Sequence, residues 1–246
     1  MVGAPGNRVA ALYAAQMATG WQAITLARLS AALVGIGTVE PYGSSVRPDL
    51  LDGWSDLDVA IALNRPIEFG DLEPGLGQLW AWQNSPAVEG QTLRLVLIDG
   101  RRIDIKARIT DAEIGSPITL PRAAPDNPVR FDAALAATRF GRGDRLIGLH
   151  LTLGVLRECL VVAMLLRDRA EGTDRHRTGS QLDARATEVA RWAGLAGEAG
   201  SDLDVRPTVI EQVCRLYGEW RAELDAGYRA DWSGLGAVID RGTGQL

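Results

Sequence analysis

Residues 42–47 read YGSSVR, and residues 55–61 read SDLDVAI. In the second stretch, apolar residues alternate with Asp56, Asp58 and alanine. Alternation with a period of two is typical of a β-strand that buries one face and exposes the other. The pattern therefore predicts a strand whose polar face carries both aspartates, preceded by a tight turn at Gly43.

A second strand that carries a carboxylate is predicted further along the chain. Residues 93–98 and 103–109 flank the dipeptide DG at 99–100, which is a strong signal for a β-hairpin. In the second of these strands the odd-numbered residues are apolar and are expected to face the core. Asp104 and Lys106 therefore face the opposite way, so a third carboxylate shares a surface with the only lysine of the chain.

The other periodic segments predict one further strand and several helices. Helical spacing of apolar residues occurs at 5–30 and 71–83, and a strand at 33–39 leads into the turn at Gly43. A connector with four prolines follows at 116–128. Beyond it, every periodic segment predicts a helix, namely 131–140, 145–169, 182–193 and 207–228.

These segments predict an α+β fold with two domains. Residues 1–120 are expected to form a mixed-sheet domain, and residues 121–246 an all-α helical bundle. The chain has 246 residues, of which 46% are hydrophobic, so it is long enough to bury two modest cores.

Composition and charge narrow the choice of partners. The net charge of -5 disfavours a nucleic-acid partner, because proteins that bind nucleic acid usually present a basic surface. The longest apolar region, 146–166, is interrupted by charged residues, and the N-terminal region lacks the features of a secretory leader. Cys159 and Cys214 have no metal-binding spacing and are predicted to be buried thiols. We expect a soluble, cytoplasmic protein with neither a nucleic-acid nor a membrane partner.

The three predicted strand aspartates have the chemistry of magnesium ligands. Magnesium prefers carboxylate, phosphate and water oxygens. Two such ions, about 3.5 to 4 Å apart, can clamp the attacking and leaving oxygens of a phosphoryl transfer. Asp56 and Asp58 would bridge the two ions, and Asp104 would hold the ion beside the attacking oxygen.

The turn before the first aspartate strand has the chemistry of a phosphate site. Gly43 allows a close approach of the backbone, and the N–H groups of Ser44 and Ser45 are predicted to cradle the β and γ phosphate oxygens. Arg47 is a candidate phosphate clamp, because a guanidinium group binds phosphate in a bidentate manner. Lys106 is a further candidate for contact with the nucleotide.

The order of these motifs over residues 33–109 resembles that of the DNA polymerase β-like nucleotidyltransferase superfamily. The shared pattern is apolar-Gly-Ser, a spacer that ends in Ser-Asp-apolar-Asp-apolar, and a later apolar-Asp-apolar strand. The resemblance implies that Gly43 and Ser44 hold the triphosphate of ATP. It also implies that the three aspartates, Asp56, Asp58 and Asp104, hold Mg²⁺.

Within that superfamily, a catalytic domain of this size followed by a helical substrate-binding domain resembles the antibiotic adenylyltransferases. The resemblance implies transfer of AMP from ATP to a hydroxyl of a small polar molecule, such as an aminoglycoside or lincosamide, which would confer antibiotic resistance. Glu158 is predicted to lie in a helix among small and apolar neighbours. It is therefore a further candidate for the general base, unless it forms an interhelical ion pair.

Two other functions are compatible with the same motifs. One is an enzyme that modifies a protein acceptor, such as an antitoxin that adenylylates its partner toxin. The other is a nucleotide sensor that has kept the fold without catalysis. Each aspartate taken singly also fits a turn or a solvated strand face. The three together favour catalysis, because binding alone does not require a two-metal geometry.

Overall fold

The computed structural model describes residues 20–47, 51–87, 90–110, 116–173 and 207–245. The chain divides into two compact units. The first comprises Met1–Pro128 together with Asp240–Leu246, and the second comprises Val129–Ile239. The boundary expected at residue 120 lies a few residues before this division, and the return of the last residues to the first unit was not expected.

The first unit contains a five-stranded sheet, a small two-stranded sheet and short helices. In chain order its elements are α1 (Trp21–Ala32), β1 (Gly37–Pro41), β2 (Leu57–Leu63), β3 (Ile67–Glu68), α2 (Glu73–Leu76), β4 (Leu79–Ala87), β5 (Gly90–Leu97), β6 (Arg102–Ile109) and β7 (Ile118–Thr119). Two short 3₁₀ turns, Gly43–Val46 and Phe69–Asp71, lie between strands and helices.

The main sheet is mixed, as the sequence predicts. Its strand order is β1-β2-β6-β5-β4, in which β2 and β6 are parallel and the other neighbouring pairs are antiparallel. Strands β5 and β6 form the predicted hairpin around Asp99 and Gly100. Strands β3 and β7 pair in parallel as a separate small sheet.

One face of the main sheet packs on the core of the first unit. In β2, buried and half-buried residues alternate along the strand, with Leu57 and Leu63 fully buried at its two ends. Ile103 and Ile105 of β6 are also fully buried, and α1 contributes Leu26, Leu29 and Leu33 to the same cluster. The predicted division of these strands into an apolar and a polar face is confirmed. The opposite face carries the polar side chains.

The predicted helix at 71–83 is wrong. The chain forms only the four-residue helix α2 there and then continues as β4. Gly77 ends the helix with a φ of 100°, a left-handed conformation that favours glycine. From Leu79 the chain pairs with β5, so the tryptophans of this segment pack in a strand. The tertiary pairing therefore overrides a helical spacing that was short and interrupted by glycine.

The described part of the second unit is helical, as predicted. Its helices are α3 (Asn127–Gly141), which begins just before the unit boundary, α4 (Arg145–Glu171), α5 (Pro207–Leu224) and α6 (Ser233–Thr243), which ends in the first unit. Helix α4 packs on α5, and both cysteines are buried free thiols as expected. The predicted helix at 182–193, and most of that at 5–30, lie outside the described residues.

Helix α4 is long and apolar enough to cross a membrane, by length and composition, and it is the one such helix in the part of the chain that the structure describes. Its most apolar window has a mean hydropathy of 1.8, and 39% of that window is buried. A core helix of a soluble protein meets the same criterion. The expected soluble, cytoplasmic state therefore stays a prediction.

Gln91 should be important for the stability of the first unit. Its side-chain amide is buried and pairs with both the N–H and the C=O of Ile118, at 3.0 Å each, which ties β7 to β5. We expect Gln91→Leu to lower the free energy of unfolding by roughly 2 to 4 kcal/mol, because two buried backbone groups lose their partners. Urea denaturation measures this change. Gln83→Leu, at an exposed position of β4, is the control and should change stability by less than about 0.5 kcal/mol. An equal effect of both changes would contradict the role of Gln91.

Candidate active site

The structure brings Asp58 and Asp104 together on one face of the main sheet. The two residues are direct partners in the parallel pairing of β2 with β6, and both point away from the apolar core. Asp56 does not lie in the strand as predicted, but in the loop one residue before β2 begins. The three carboxylates are therefore close to the start of β2. Asp58 and Asp104 belong to strands, whereas Asp56 belongs to the preceding loop.

The Gly-Ser turn contacts Asp58 directly. Gly43 has a φ of 60°, and a Cβ atom at this position would lie 2.7 Å from Oδ2 of Asp58. Ser44 donates two hydrogen bonds to the same oxygen, from its backbone N–H at 3.2 Å and from its hydroxyl at 2.9 Å. Glycine is required at position 43 both for the left-handed conformation and for this close approach.

Ser45 is buried and fixes the turn to the strand. Its hydroxyl oxygen accepts the backbone N–H of Asp58 at 2.6 Å, and its own N–H donates to the carbonyl of Tyr42 at 3.1 Å. In this structure Ser44 and Ser45 therefore hold Asp58, and their predicted contact with phosphate stays a prediction. Arg47 is exposed at the end of the turn, and the ammonium group of Lys106 lies 4.5 Å from the ring centre of Tyr42.

Two arginines that the sequence analysis did not identify lie beside the carboxylates. Arg94 lies opposite Asp104 in the β5–β6 hairpin, with Nε 3.7 Å from the carboxylate. Arg102 is almost buried, with Nη2 3.5 Å from Asp56. Both positions could have been found from the sequence. The position of the hairpin turn determines that Arg94 pairs with Asp104, and the two-residue period of a strand places Arg102 on the same face as Asp104.

Burial and the neighbouring negative charges raise the pKa values of two of the carboxylates. Burial, and then the negative charge of Asp56, raise the pKa of Asp104 to about 6, although Arg94 opposes this shift. Burial also raises the pKa of Asp58, with Asp56 adding to the shift and the hydrogen bond from Ser44 opposing it. Burial is the larger cause of both shifts, and a bound cation would oppose them by stabilising the ionised carboxylates.

The three aspartates fit magnesium in their chemistry, since all are hard oxygen donors. Asp58 and Asp104 share one face of adjacent strands, and Asp56 lies close enough for its charge to act on both. Within the described ranges, however, no group of three acidic, histidine or cysteine side chains is already arranged to hold an ion. The neighbouring arginines stand near two of the carboxylates, so a cation would have to displace them. The predicted metal ligands therefore stay a prediction.

The loop that carries Asp56 is held by the C-terminal end of the chain. The Trp54 carbonyl accepts a hydrogen bond of 2.7 Å from Arg102, the same side chain that approaches Asp56. On the other side, Trp54 packs on Gly242, where a Cβ atom would lie 2.2 Å from the indole ring. The last turn of α6 thus positions the segment that precedes Asp56.

Glu158, the candidate base from the helical half, lies in the second unit and is ion-paired. Its carboxylate is 3.0 Å from Arg157 on the same helix, and its side chain is 38% exposed. The packed surroundings predicted for it are therefore only partly present. Burial, with Glu158 adding to the shift, raises the pKa of Asp132 on α3, whereas Arg157 and His150 oppose it. A role of Glu158 as general base stays a prediction.

Comparison with known proteins adds no assignment. No model of a known protein family matches the chain, and no curated protein is significantly similar to it in sequence. The interpretation of this site therefore depends on its own residues and their geometry.

The raised pKa of Asp104 predicts a pH-dependent stability. The folded pKa of about 6 exceeds the unfolded value of roughly 3.9, so ionised Asp104 destabilises the metal-free fold above pH 6, and this penalty disappears as the pH falls to 4. We expect Asp104→Asn to raise the free energy of unfolding by about 1 to 3 kcal/mol at pH 8, and progressively less between pH 6 and pH 4. Denaturation in EDTA across this range measures the difference. A difference that is constant from pH 4 to pH 8 would contradict the assignment.

The contact of Trp54 with Gly242 gives a second prediction. Gly242→Ala places a methyl group against the indole ring, so we expect a loss of about 1 to 3 kcal/mol of unfolding free energy. Gly236→Ala in the same helix is the matched control, because no atom lies within 4 Å of its added methyl group. That control should stabilise the helix by about 0.5 to 1 kcal/mol. Chemical denaturation of both variants tests the contact, and equal results would exclude it.

Proposed function

We propose that the first unit transfers AMP from ATP to a hydroxyl group of a small polar molecule, with magnesium as its cofactor. The observation that carries this proposal is the pairing of Asp58 with Asp104 on adjacent parallel strands, beside a Gly-Ser turn hydrogen-bonded to Asp58. Asp56 lies directly before the same strand. This combination resembles that of the DNA polymerase β-like nucleotidyltransferases, and the mixed sheet is compatible with it.

In this proposal the three aspartates are the metal ligands. Asp56 and Asp58 would bridge two magnesium ions, and Asp104 would hold the ion beside the acceptor. Bound magnesium would offset the negative charge of the triphosphate and of the leaving group. Arg94, whose side chain is exposed, would then be released from Asp104 and could bind phosphate oxygens, whereas Arg102 is buried and donates to the Trp54 carbonyl.

The reaction forms one bond and breaks one bond. The acceptor hydroxyl oxygen bonds to the α-phosphorus of ATP, and the bond from that phosphorus to the oxygen bridging to the β-phosphorus breaks. Pyrophosphate leaves with the electron pair. The proton of the hydroxyl passes to a carboxylate, for which we propose Asp104. In the metal-free protein the pKa of Asp104 is about 6, and a magnesium ion bound to its carboxylate would lower that pKa.

The resemblance to the antibiotic adenylyltransferases implies an acceptor-binding role for the helical unit, which stays an expectation. Glu158 is the second candidate for the general base, and its pairing with Arg157 would have to break for that role. Aminoglycosides and lincosamides are accordingly the first acceptors to test.

Removal of one metal ligand tests the proposed reaction. The protein is incubated with Mg-ATP and a panel of aminoglycosides and lincosamides, and mass spectrometry detects the addition of one AMP. We expect Asp56→Asn to lower the rate by about a hundredfold or more, since several kcal/mol of transition-state stabilisation are lost. Glu73→Gln, an exposed acid on α2, is the matched control and should retain the rate of the unchanged protein.

The outcomes separate the three candidate functions. AMP transfer that survives in Asp56→Asn would refute the site. Transfer to a co-purifying protein, but to no drug, would favour the protein-modifying enzyme. Tight ATP binding without transfer to any acceptor would favour the nucleotide sensor.

A further inference from the structure

A groove of about 320 Å³ lies on the main sheet of the first unit. We call it the sheet groove, and its lining includes Thr38, Glu40, Ala60, Ala62, Gly90 and Arg108. Three of these residues are alanine or glycine, so a ligand can approach the strands closely. Gly90 is itself packed tightly, because a Cβ atom there would meet the carbonyl of Ala107.

The sheet groove lies on the same face as the carboxylates. Along β6, Asp104, Lys106 and Arg108 alternate with buried apolar residues, so the three side chains share one face. Ala60 and Ala62 of β2 are the pairing partners of Lys106 and Arg108. Arg108 is four residues beyond Asp104, which corresponds to about 13 Å along the strand. The groove lining includes Ala60 and Lys106, the next positions after Asp58 and Asp104 on the same face, and continues towards the far end of β6, whereas none of the three aspartates lines it.

The charged side chains on this face differ in their partners. Asp58 is held by Ser44, Asp104 by Arg94, and Lys106 lies over the ring of Tyr42. In the described ranges the side chain of Arg108 has no hydrogen bond or ion pair and is exposed to solvent, and the same is true of the side chain of Glu40.

Glu40 and Arg108 stand on opposite sides of β2, because Glu40 pairs with Ala60 and Arg108 with Ala62. Two strand spacings across and two residues along the strand separate their backbones by about 12 Å. A ligand in the groove would thus lie between an unpaired acid and an unpaired base. A guanidinium group is suited to bidentate binding of phosphate or carboxylate. A carboxylate is suited to accept hydrogen bonds from hydroxyl groups.

We propose that the sheet groove binds the acceptor of the reaction, and that Arg108 holds an anionic group of that acceptor. This inference rests on the proposed function and specifies its substrate class. The acceptor is a small polyhydroxylated molecule that carries a phosphate or carboxylate group away from the hydroxyl that is modified. On the β1 side of the groove, the Glu40 carboxylate accepts hydrogen bonds from hydroxyl groups of the acceptor. This substrate class differs from the polycationic aminoglycosides that the family resemblance suggests, because Lys106 and Arg108 would repel a polycation at this end of the face.

Binding without nucleotide tests the groove independently of catalysis. Titration calorimetry compares glucose 6-phosphate, glucuronate and glucose, which distinguishes phosphate, carboxylate and the absence of an anionic group. We expect at least one anionic sugar to bind more tightly than glucose, and Arg108→Gln to weaken that binding by about tenfold or more. Arg108→Lys keeps the charge but loses the bidentate contact, so an intermediate affinity is expected. Arg122→Gln, an exposed arginine outside the groove lining, is the matched control and should bind normally.

Transfer with Mg-ATP tests the same sugars as acceptors. We expect the ratio of kcat/KM for the anionic sugar to that for glucose to fall about tenfold in Arg108→Gln and to stay constant in Arg122→Gln. A change in this ratio reports on specificity, and a general loss of folding would not produce it.

The outcomes distinguish the inference from the function on which it rests. Binding that depends on Arg108, without AMP transfer to any acceptor, supports the groove and refutes the proposed function. If AMP transfer does not depend on the anionic group of the acceptor, or is unchanged in Arg108→Gln, the proposed role of the sheet groove is refuted. The proposed function is not affected by that result. Equal or undetectable binding of all three sugars, with no preference in transfer, also overturns the groove.

Discussion

The parallel pairing of β2 with β6 is the constraint on which the candidate site depends. Its register places Asp58 directly opposite Asp104, and like charges in that arrangement repel each other. The apolar residues on the other face hold the register, because a shift of one strand by one residue would turn its carboxylate towards the core and expose its apolar residues on the wrong face. Burial of the leucine, isoleucine and valine side chains of these strands thus keeps two acids together that would otherwise separate.

The surroundings of the carboxylates reduce this repulsion without removing it. Ser44 donates two hydrogen bonds to Asp58, and Arg94 and Arg102 stand 3.5 to 3.7 Å from the other two carboxylates. Burial is the largest cause of the raised pKa of Asp104, and the negative charge of Asp56 adds to it. Unfavourable electrostatic contacts within a well-packed domain are typical of functional sites, where the residues that a reaction requires lower the stability of the fold. A cation bound there would convert the repulsion into attraction.

Strong periodicity made part of this architecture predictable. The alternation in β2 and in the β5–β6 hairpin fixed which side chains face the core, and all three strands form as expected. The long helices α4 and α5 were predicted for the same reason. The helix expected at 71–83 failed because a short apolar pattern cannot distinguish a helix from a strand, and pairing with β5 decided the outcome.

The sequence by itself determined the α+β class and the common polar face of Asp104, Lys106 and Arg108, because these follow from residue periodicity along single elements. Only the tertiary structure decided which strands are neighbours, and hence that Asp58 faces Asp104. It also decided that the C-terminal Gly242 supports Trp54, since such contacts join segments far apart in the chain. Periodicity is a local property, whereas strand order and long-range packing depend on how the whole core is filled.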